Sequence, residues 1–336
     1  MADYKAIKGL TVQTVAGDPS NLATGDIWYN STLGKIRVTG TSTGSWATGN
    51  NINGKRYHLG GFGSQTAAVA FGGYNYDLSP GIQGTVEEYD GTSWTEVNNI
   101  STDMYQNAGC GTLTAGLTYG GGSPGGDLAE SFEYDGTNWT AAGNNTAALK
   151  NGCVAGTQTA ALGWGGEKAP GADDQSNTYN GTAWTEAPDL NEESIGRSFC
   201  GIQTAALAIS GGDGASPEST VADVEEYNGS SWSEGPNVNT NRNNAAASQQ
   251  GTVTSTIAFT GDIIPGYTAN CEEWDGTAWA TQKAKNTAVR EYSGCGTTTA
   301  ALGFAGTIEP GPGNTNITEE YTGTTSAAEA VDIDFD

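Results

Sequence analysis

Histidine occurs once in the 336 residues, at His58. A zinc centre built on several imidazoles is therefore excluded. The five cysteines do not replace them, because they are scattered along the chain with no Cys-x-x-Cys pair. Positive charge is scarce too: 13 Lys and Arg stand against 38 Asp and Glu, a net charge of −25. That balance argues against nucleic acid or anionic lipid as a partner over any broad surface, and for a protein kept soluble in a salty medium. No apolar run approaches the roughly 18 residues that a membrane-crossing helix needs. The opening MADYKAIKG carries no hydrophobic stretch of the secretory kind, so neither membrane insertion nor signal-directed export is expected. Met occurs twice and Phe seven times, whereas Gly occurs 51 times; this composition suits short strands and tight turns, not helices.

What the chain has is repetition. The phrase EEYDGTSWTE, starting at Glu87, returns as FEYDGTNWTA, NTYNGTAWTE, EEYNGSSWSE, EEWDGTAWAT and a truncated EEYTGTT. The aromatic before the turn falls at Tyr89, Tyr134, Tyr179, Tyr227, Trp274 and Tyr321, at intervals of 45, 45, 48, 47 and 47 residues. A second phrase keeps the same phase, from TAAVAFGG at Thr66 to TAALGFAG at Thr299. Six copies of each mean six units in one large domain.

Unit one reads as four strands: RYHLGGFG, TAAVAFGG, GTVEEYD and SWTEV. Asp-Gly or Asn-Gly between the third and fourth predicts a two-residue hairpin turn. The Gly-Gly closing the second suits close backbone approach, and Tyr89 and Trp94 are placed to pack between neighbouring sheets. The pairs Glu87-Glu88, Glu225-Glu226, Glu272-Glu273 and Glu319-Glu320 recur with the fold, so they read as solvated outer-strand positions, not as a singular catalytic pair. Cys110, Cys200 and Cys295 occupy one position in different units, too far apart for a disulfide, and read as buried thiols.

The sixth unit stops at EEYTGTT without its Trp strand, while Trp46, in TGSWAT, lies 48 residues before Trp94. Residues 44–48 are therefore expected to supply the outer strand of the last unit. That closes a six-bladed β-propeller over residues 44–325 and removes two exposed sheet edges. Residues 1–43 form a hairpin extension, GDIWYNSTLGKIRV with its turn at STLG, and residues 326–336 an acidic tail.

The Gly-Gly after an apolar strand, followed by an aromatic and then a Trp, resembles the kelch repeat, with a shortened spacing of four residues between Tyr89 and Trp94. The wording EEYDGTSWT together with TQTAALGWGG is similar to kelch-like propellers in fibre and other virion proteins of phages of marine bacteria, over about residues 36–325. The fold class this implies is an all-β, six-bladed kelch-like β-propeller. The implied function is a non-enzymatic virion component, a tail or head fibre or decoration protein, made in the host cytoplasm and presented on the extracellular particle. Its partners would be other virion proteins, through the N-terminal segment, and a host-surface polysaccharide or receptor; homo-oligomerisation is left open. No cofactor, catalytic residue or metal ligand is assigned, because a kelch-type copper radical oxidase needs at least two His. The alternatives are a carbohydrate-binding or carbohydrate-processing propeller enzyme and an intracellular kelch interaction module.

In a four-stranded antiparallel blade the tight turns share one face, and the variable loops, each holding a Pro, share the other. Nine of the 13 basic residues fall on or beside that loop face. The candidate binding residues are Arg56, Arg197, Arg242, Arg290 and Lys150, with Tyr74, Tyr76, Tyr105 and Tyr267 as stacking surfaces. His58 reads as a packed inner-strand residue.

Overall fold

The computed structural model describes residues 12–19, 26–40, 44–169, 171–214, 219–308, 313–323 and 329–332. Among them every regular element is a strand. The chain divides into two compact units, Ser45–Thr322 and the two ends Met1–Gly44 with Gly323–Asp336.

The larger unit holds six four-stranded antiparallel sheets. In the first, Gly60–Ser64 pairs with Ala67–Phe71, that strand with Val86–Tyr89, and Val86–Tyr89 with Trp94–Glu96. The same order recurs in every unit. In the sixth, Ser293–Thr297, Ala300–Phe304 and Thr318–Thr322 take their fourth strand from far upstream, Ser45–Thr48. The register is that of the other units: Tyr321 faces Trp46 as Tyr89 faces Trp94 and Tyr227 faces Trp232.

The first strands lie side by side. Gly60–Ser64 touches Ala108–Thr112, and the series continues through Cys153–Thr157, Ser198–Ile202, Ala246–Ala247 and Ser293–Thr297, which touches Gly60–Ser64 again. At the entry to each first strand one residue turns into the left-handed region: His58, Gln106, Asn151, Gly196, Asn244 and Glu291, with φ between 50° and 60°. Each donates its backbone N–H to the carbonyl of its counterpart one unit back. The six bonds span 2.6 to 3.4 Å and run without a break, because His58 donates to Glu291.

Side chains stitch neighbouring sheets in the same direction. Gln65 Nε2 donates to the carbonyls of Ala301 (2.9 Å) and Tyr321 (2.7 Å), as Gln158 and Gln203 do to the sheets before theirs. The indoles of Trp94, Trp184 and Trp232 donate to Thr318, Ser131 and Ser176 of the preceding sheet. A sheet with two apolar faces is covered on both sides this way, which is why Tyr89, Phe71 and Phe304 are almost wholly buried.

The turn between third and fourth strands differs from the two-residue hairpin that Asp-Gly predicts. Tyr89 and Trp94 are the last pair, so four residues connect them, and Asp90 Oδ1 accepts the backbone N–H groups of Thr92 (2.8 Å) and Ser93 (2.7 Å). Asp135, Asn180, Asn228 and Asp275 do the same. The side chain closes the loop, and Gly91 supplies the positive φ of 87°.

The smaller unit is a sheet in the order Gln13–Val15, Ile27–Asn30, Lys35–Gly40, Glu329–Asp332. The hairpin Ile27–Asn30 with Lys35–Gly40 turns at residues 31–34. Trp28 is buried, and its indole donates to Asp18 (3.2 Å). Residues 326–336 are not simply an acidic tail: Glu329–Asp332 forms a strand antiparallel to Lys35–Gly40.

Two left-handed residues end the second strand, or interrupt it in unit three at Gly165 and Gly166, in every unit. They are Gly72 and Gly73 in unit one, but Ser210, Thr260 and Ala305 take the first place in units four to six. Left-handed backbone costs a residue with a Cβ about 1 kcal/mol. Ala305→Gly should therefore raise stability by about 1 kcal/mol in urea unfolding. A Cβ on Gly72 would lie 2.6 Å from Asn107 Nδ2 and 2.7 Å from Met104 O, so Gly72→Ala should lower stability by about 2 kcal/mol or more.

All five cysteines are buried and unbonded to one another. Burial pushes Cys110, Cys153 and Cys200 from 9 up to about 12, and Cys271 to about 11. The unfolded chain releases these protons near pH 9 and the folded chain does not. Their contribution is therefore complete below pH 9 and is lost as pH rises towards 12. Thermal midpoints should fall steadily above pH 9, and Cys200→Ala should flatten that slope.

Candidate functional site

Three of the five basic residues predicted to bind are not at the surface. Arg56 and Arg242 are fully buried and Arg197 is nearly so. Their guanidiniums meet Glu87 (3.0 Å), Glu272 and Glu225 (3.4 Å), which are buried as well. In the sixth unit Lys285 takes the same role against Glu319 at 2.9 Å. Burial drives the Lys285 ammonium down to about 8 although Glu319 favours its charge. Each carboxylate also accepts backbone N–H groups of the loop that carries or precedes its cation: Asn53 and Gly54 on Glu87, Asn191 and Glu192 on Glu225, Asn239 and Thr240 on Glu272. A charge taken out of water persists only when it is paired and hydrogen-bonded. Here that pairing ties each loop to the third strand of its own sheet.

The second residue is not simply solvated in two of the pairs: Glu88 accepts the hydroxyl of Tyr134 of the following sheet at 2.7 Å, and Glu320 accepts that of Tyr89. Glu133, which follows Phe132, accepts Tyr179 in the same way at 2.7 Å. The expectation of solvated outer-strand glutamates is thus corrected at the first position of all four pairs and at Glu88 and Glu320 in the second. The sequence did hold a signal. A basic residue precedes the first Glu by 31, 28, 30 and 34 residues in units one, four, five and six (87−56, 225−197, 272−242, 319−285). Units two and three place Phe132 and Asn177 in the Glu slot.

The other two cations are paired at the surface. Lys150 bridges Asp127 (3.4 Å) and Glu167 (3.0 Å). Arg290 meets Asp262 (3.3 Å) and lies 4.9 Å over the Tyr267 ring. Tyr267 therefore belongs to an Arg290 contact.

Tyr74, Tyr76 and Tyr105 do come together, around Tyr57, which the sequence reading passed over. Tyr57 and Tyr76 stack with ring centres 4.8 Å apart at 19°. Tyr74 meets both edge-on, at 5.6 and 5.3 Å, and reaches Tyr105 at 6.4 Å. The backbone sets this up: the link into unit one pairs with the loop after its second strand, Tyr57 opposite Tyr74. Burial, and then the hydroxyl of Tyr76, push the Tyr57 phenol well above its ordinary value, so it stays neutral. Tyr76 remains 47% exposed, with Leu78 beside it in sequence at 49%.

His58 joins this cluster to a cavity. Its ring lies 4.9 Å from Tyr57 and 6.5 Å from Tyr105. It is half-buried, and its Nε2 is 3.2 Å from Glu291 Oε1, so the packed-core reading of His58 gives way to a cavity residue. Burial alone would raise the Glu291 carboxyl; His58, Arg290 and Thr307 together hold it below its usual value. The cavity, about 90 Å³, is lined by the six left-handed residues and by the small residues of the first strands, such as Gly60, Ala108, Ala246 and Gly294. Among the described residues no three His, Cys, Asp or Glu side chains gather as metal ligands, and no helix is long and apolar enough to cross a membrane.

No family model matches the chain, and no curated protein matches it. A solved structure titled "Structure of YjhT" superposes with a TM-score of 0.62 at 11% identity, covering 80% of this chain and 95% of that one. The fold is all-β and β-propeller-like. At that identity the likeness extends to the fold alone.

The buried pairs yield a mutational test. Arg242→Met leaves Glu272 charged and unpartnered, and should cost about 3–5 kcal/mol in denaturant unfolding. Arg290→Met, at a half-exposed pair, should cost about 1 kcal/mol or less.

Proposed function

We propose that Ser45–Thr322 is a closed six-bladed propeller that binds a neutral, hydroxyl-rich surface polymer without cleaving it. The observation that carries this reading is the Tyr57–Tyr76 stack, a rigid aromatic platform with one ring half in solvent. Tyrosine offers a large amphipathic face and a hydroxyl at low entropic cost, which suits sugar rings, whose faces are apolar and whose edges are polar. The closed ring is supported by the Tyr321–Trp46 pairing and by the unbroken cycle of backbone bonds from His58 to Glu291. The choice of a neutral ligand over an anionic one follows from the burial or pairing of Arg56, Arg197, Arg242, Arg290 and Lys150. The non-cleaving role is supported by the first Glu of each pair being committed to Arg or Lys and the second, in units one and six, to Tyr.

We place this activity in a phage virion, with the N-terminal segment joining the propeller to other virion proteins. The support is the resemblance of the repeated phrases to kelch-like virion proteins. Antibody labelling of particles encoding the chain tests it, and unlabelled particles with all the protein in the soluble fraction would overturn it.

Tyr76→Ala should weaken binding to host cells or their purified surface polysaccharide by about tenfold while leaving the melting temperature unchanged. Raising salt from about 0.05 to 0.5 M should change wild-type binding by less than about twofold, since no charged contact is to be screened. Binding unaltered in folded Tyr76→Ala, or abolished by salt, would refute the platform; release of sugar fragments would refute the non-cleaving reading.

A further inference from the structure

Three amides beside the tyrosine platform make no side-chain hydrogen bond within the fold. Gln106 and Asn151 line the cavity, half-buried, and their side chains make no hydrogen bond with the described residues. Asn107 stands behind them, its Oδ1 and Nδ2 buried without a partner against Gly60 and Gly72, so the amides open to a ligand are Gln106 and Asn151. A buried amide left unsatisfied costs about 1–3 kcal/mol. All three sit at the entry of the second and third sheets, the side of the cavity towards Tyr105.

We infer that the axial cavity is a second subsite, which takes one neutral sugar residue of the polymer chain that the tyrosine platform holds. The inference rests on the proposed polymer binding. The chemistry of the wall selects the ligand. An amide both donates and accepts, as a hydroxyl does, so adjacent Gln and Asn side chains match vicinal hydroxyls. The wall offers an acidic sugar no unpaired cation, because Arg197 is tied to Glu225 and His58 to Glu291. Glu291, held ionised, repels a carboxylate as well. At about 15 Å³ for each water, 90 Å³ holds about six waters, on the scale of one sugar ring. One residue of the polymer is seated there, with its neighbours outside on Tyr76.

The fold itself supplies the variant that tests this. Gly196 occupies the equivalent left-handed position with no side chain and keeps both backbone bonds of the ring. Gln106→Gly with Asn151→Gly should thus remove the two amides that reach the cavity and leave the ring intact. Ligand-observed NMR on the full chain would use glucose, galactose, mannose, rhamnose, fucose, N-acetylglucosamine and N-acetylgalactosamine, with glucuronate as the acidic control. At least one neutral sugar should bind and glucuronate should not. The double-glycine variant should lose about tenfold or more of that affinity, and Tyr76→Ala should lose less than about threefold. Asn151→Asp, of equal size but charged, serves if the double variant melts early, and should also lose binding. The inference falls if no neutral sugar in the panel binds, or if the amide variants bind as the wild type does. Polymer binding that needs Tyr76 and ignores the amide variants would leave the platform standing and remove the subsite. Absence of any polymer binding would instead remove the platform reading.

Discussion

A four-stranded sheet with two apolar faces has no way to bury both by itself, and in Ser45–Thr322 each of the six sheets packs on a neighbour at each side. The second to fifth sheets meet that need in sequence order. The sixth meets it only because Ser45–Thr48 returns to Thr318–Thr322 and lays Trp46 against Tyr321 and Phe259. Gln65 and Trp94 of the first sheet then have the sixth to bond to. Remove that seam and the faces of two sheets meet water.

The charged residues follow from the same constraint. Links between sheets cross the top of a tightly packed body, and their backbone N–H groups need acceptors once buried. A glutamate from the third strand provides them, and an arginine or lysine from the link neutralises it. Four units solve the problem in this way and two do not, which shows the device to be local and not a condition of the fold. With those cations consumed, the surface that remains is strongly acidic and has little with which to hold an anion. The binding reading therefore rests on aromatic faces and neutral amides.

Much of this was legible in the chain. The repeat interval, the Tyr–Trp register and the displaced strand at Trp46 follow from phrases whose spacing is fixed by the fold, so counting residues suffices to find them. Tyr74, Tyr76 and Tyr105 were legible as loop aromatics. Arg56, Arg197 and Arg242 were misread because linear position places them in loops, while burial is decided by a glutamate about 30 residues further on. The strand at Glu329–Asp332 has no periodic apolar pattern and forms through its partner Lys35–Gly40, a tertiary pairing that local sequence does not encode. The polar ring at the cavity left only a faint trace: Asn151, Gly196 and Asn244, residue types tolerant of left-handed backbone, recur at the repeat interval just before the first strand.

Closure of the ring is the claim on which the remainder depends, and amide hydrogen exchange resolved by residue tests it most directly. The six N–H groups of His58, Gln106, Asn151, Gly196, Asn244 and Glu291 make one cycle of equivalent bonds. The account predicts that all six exchange slowly and by the same global opening, along with the amides of Ser45–Thr48. Fast exchange at His58 and in Ser45–Thr48, with the other five ring positions still protected, would mean an open seam between the first and sixth sheets and would contradict it.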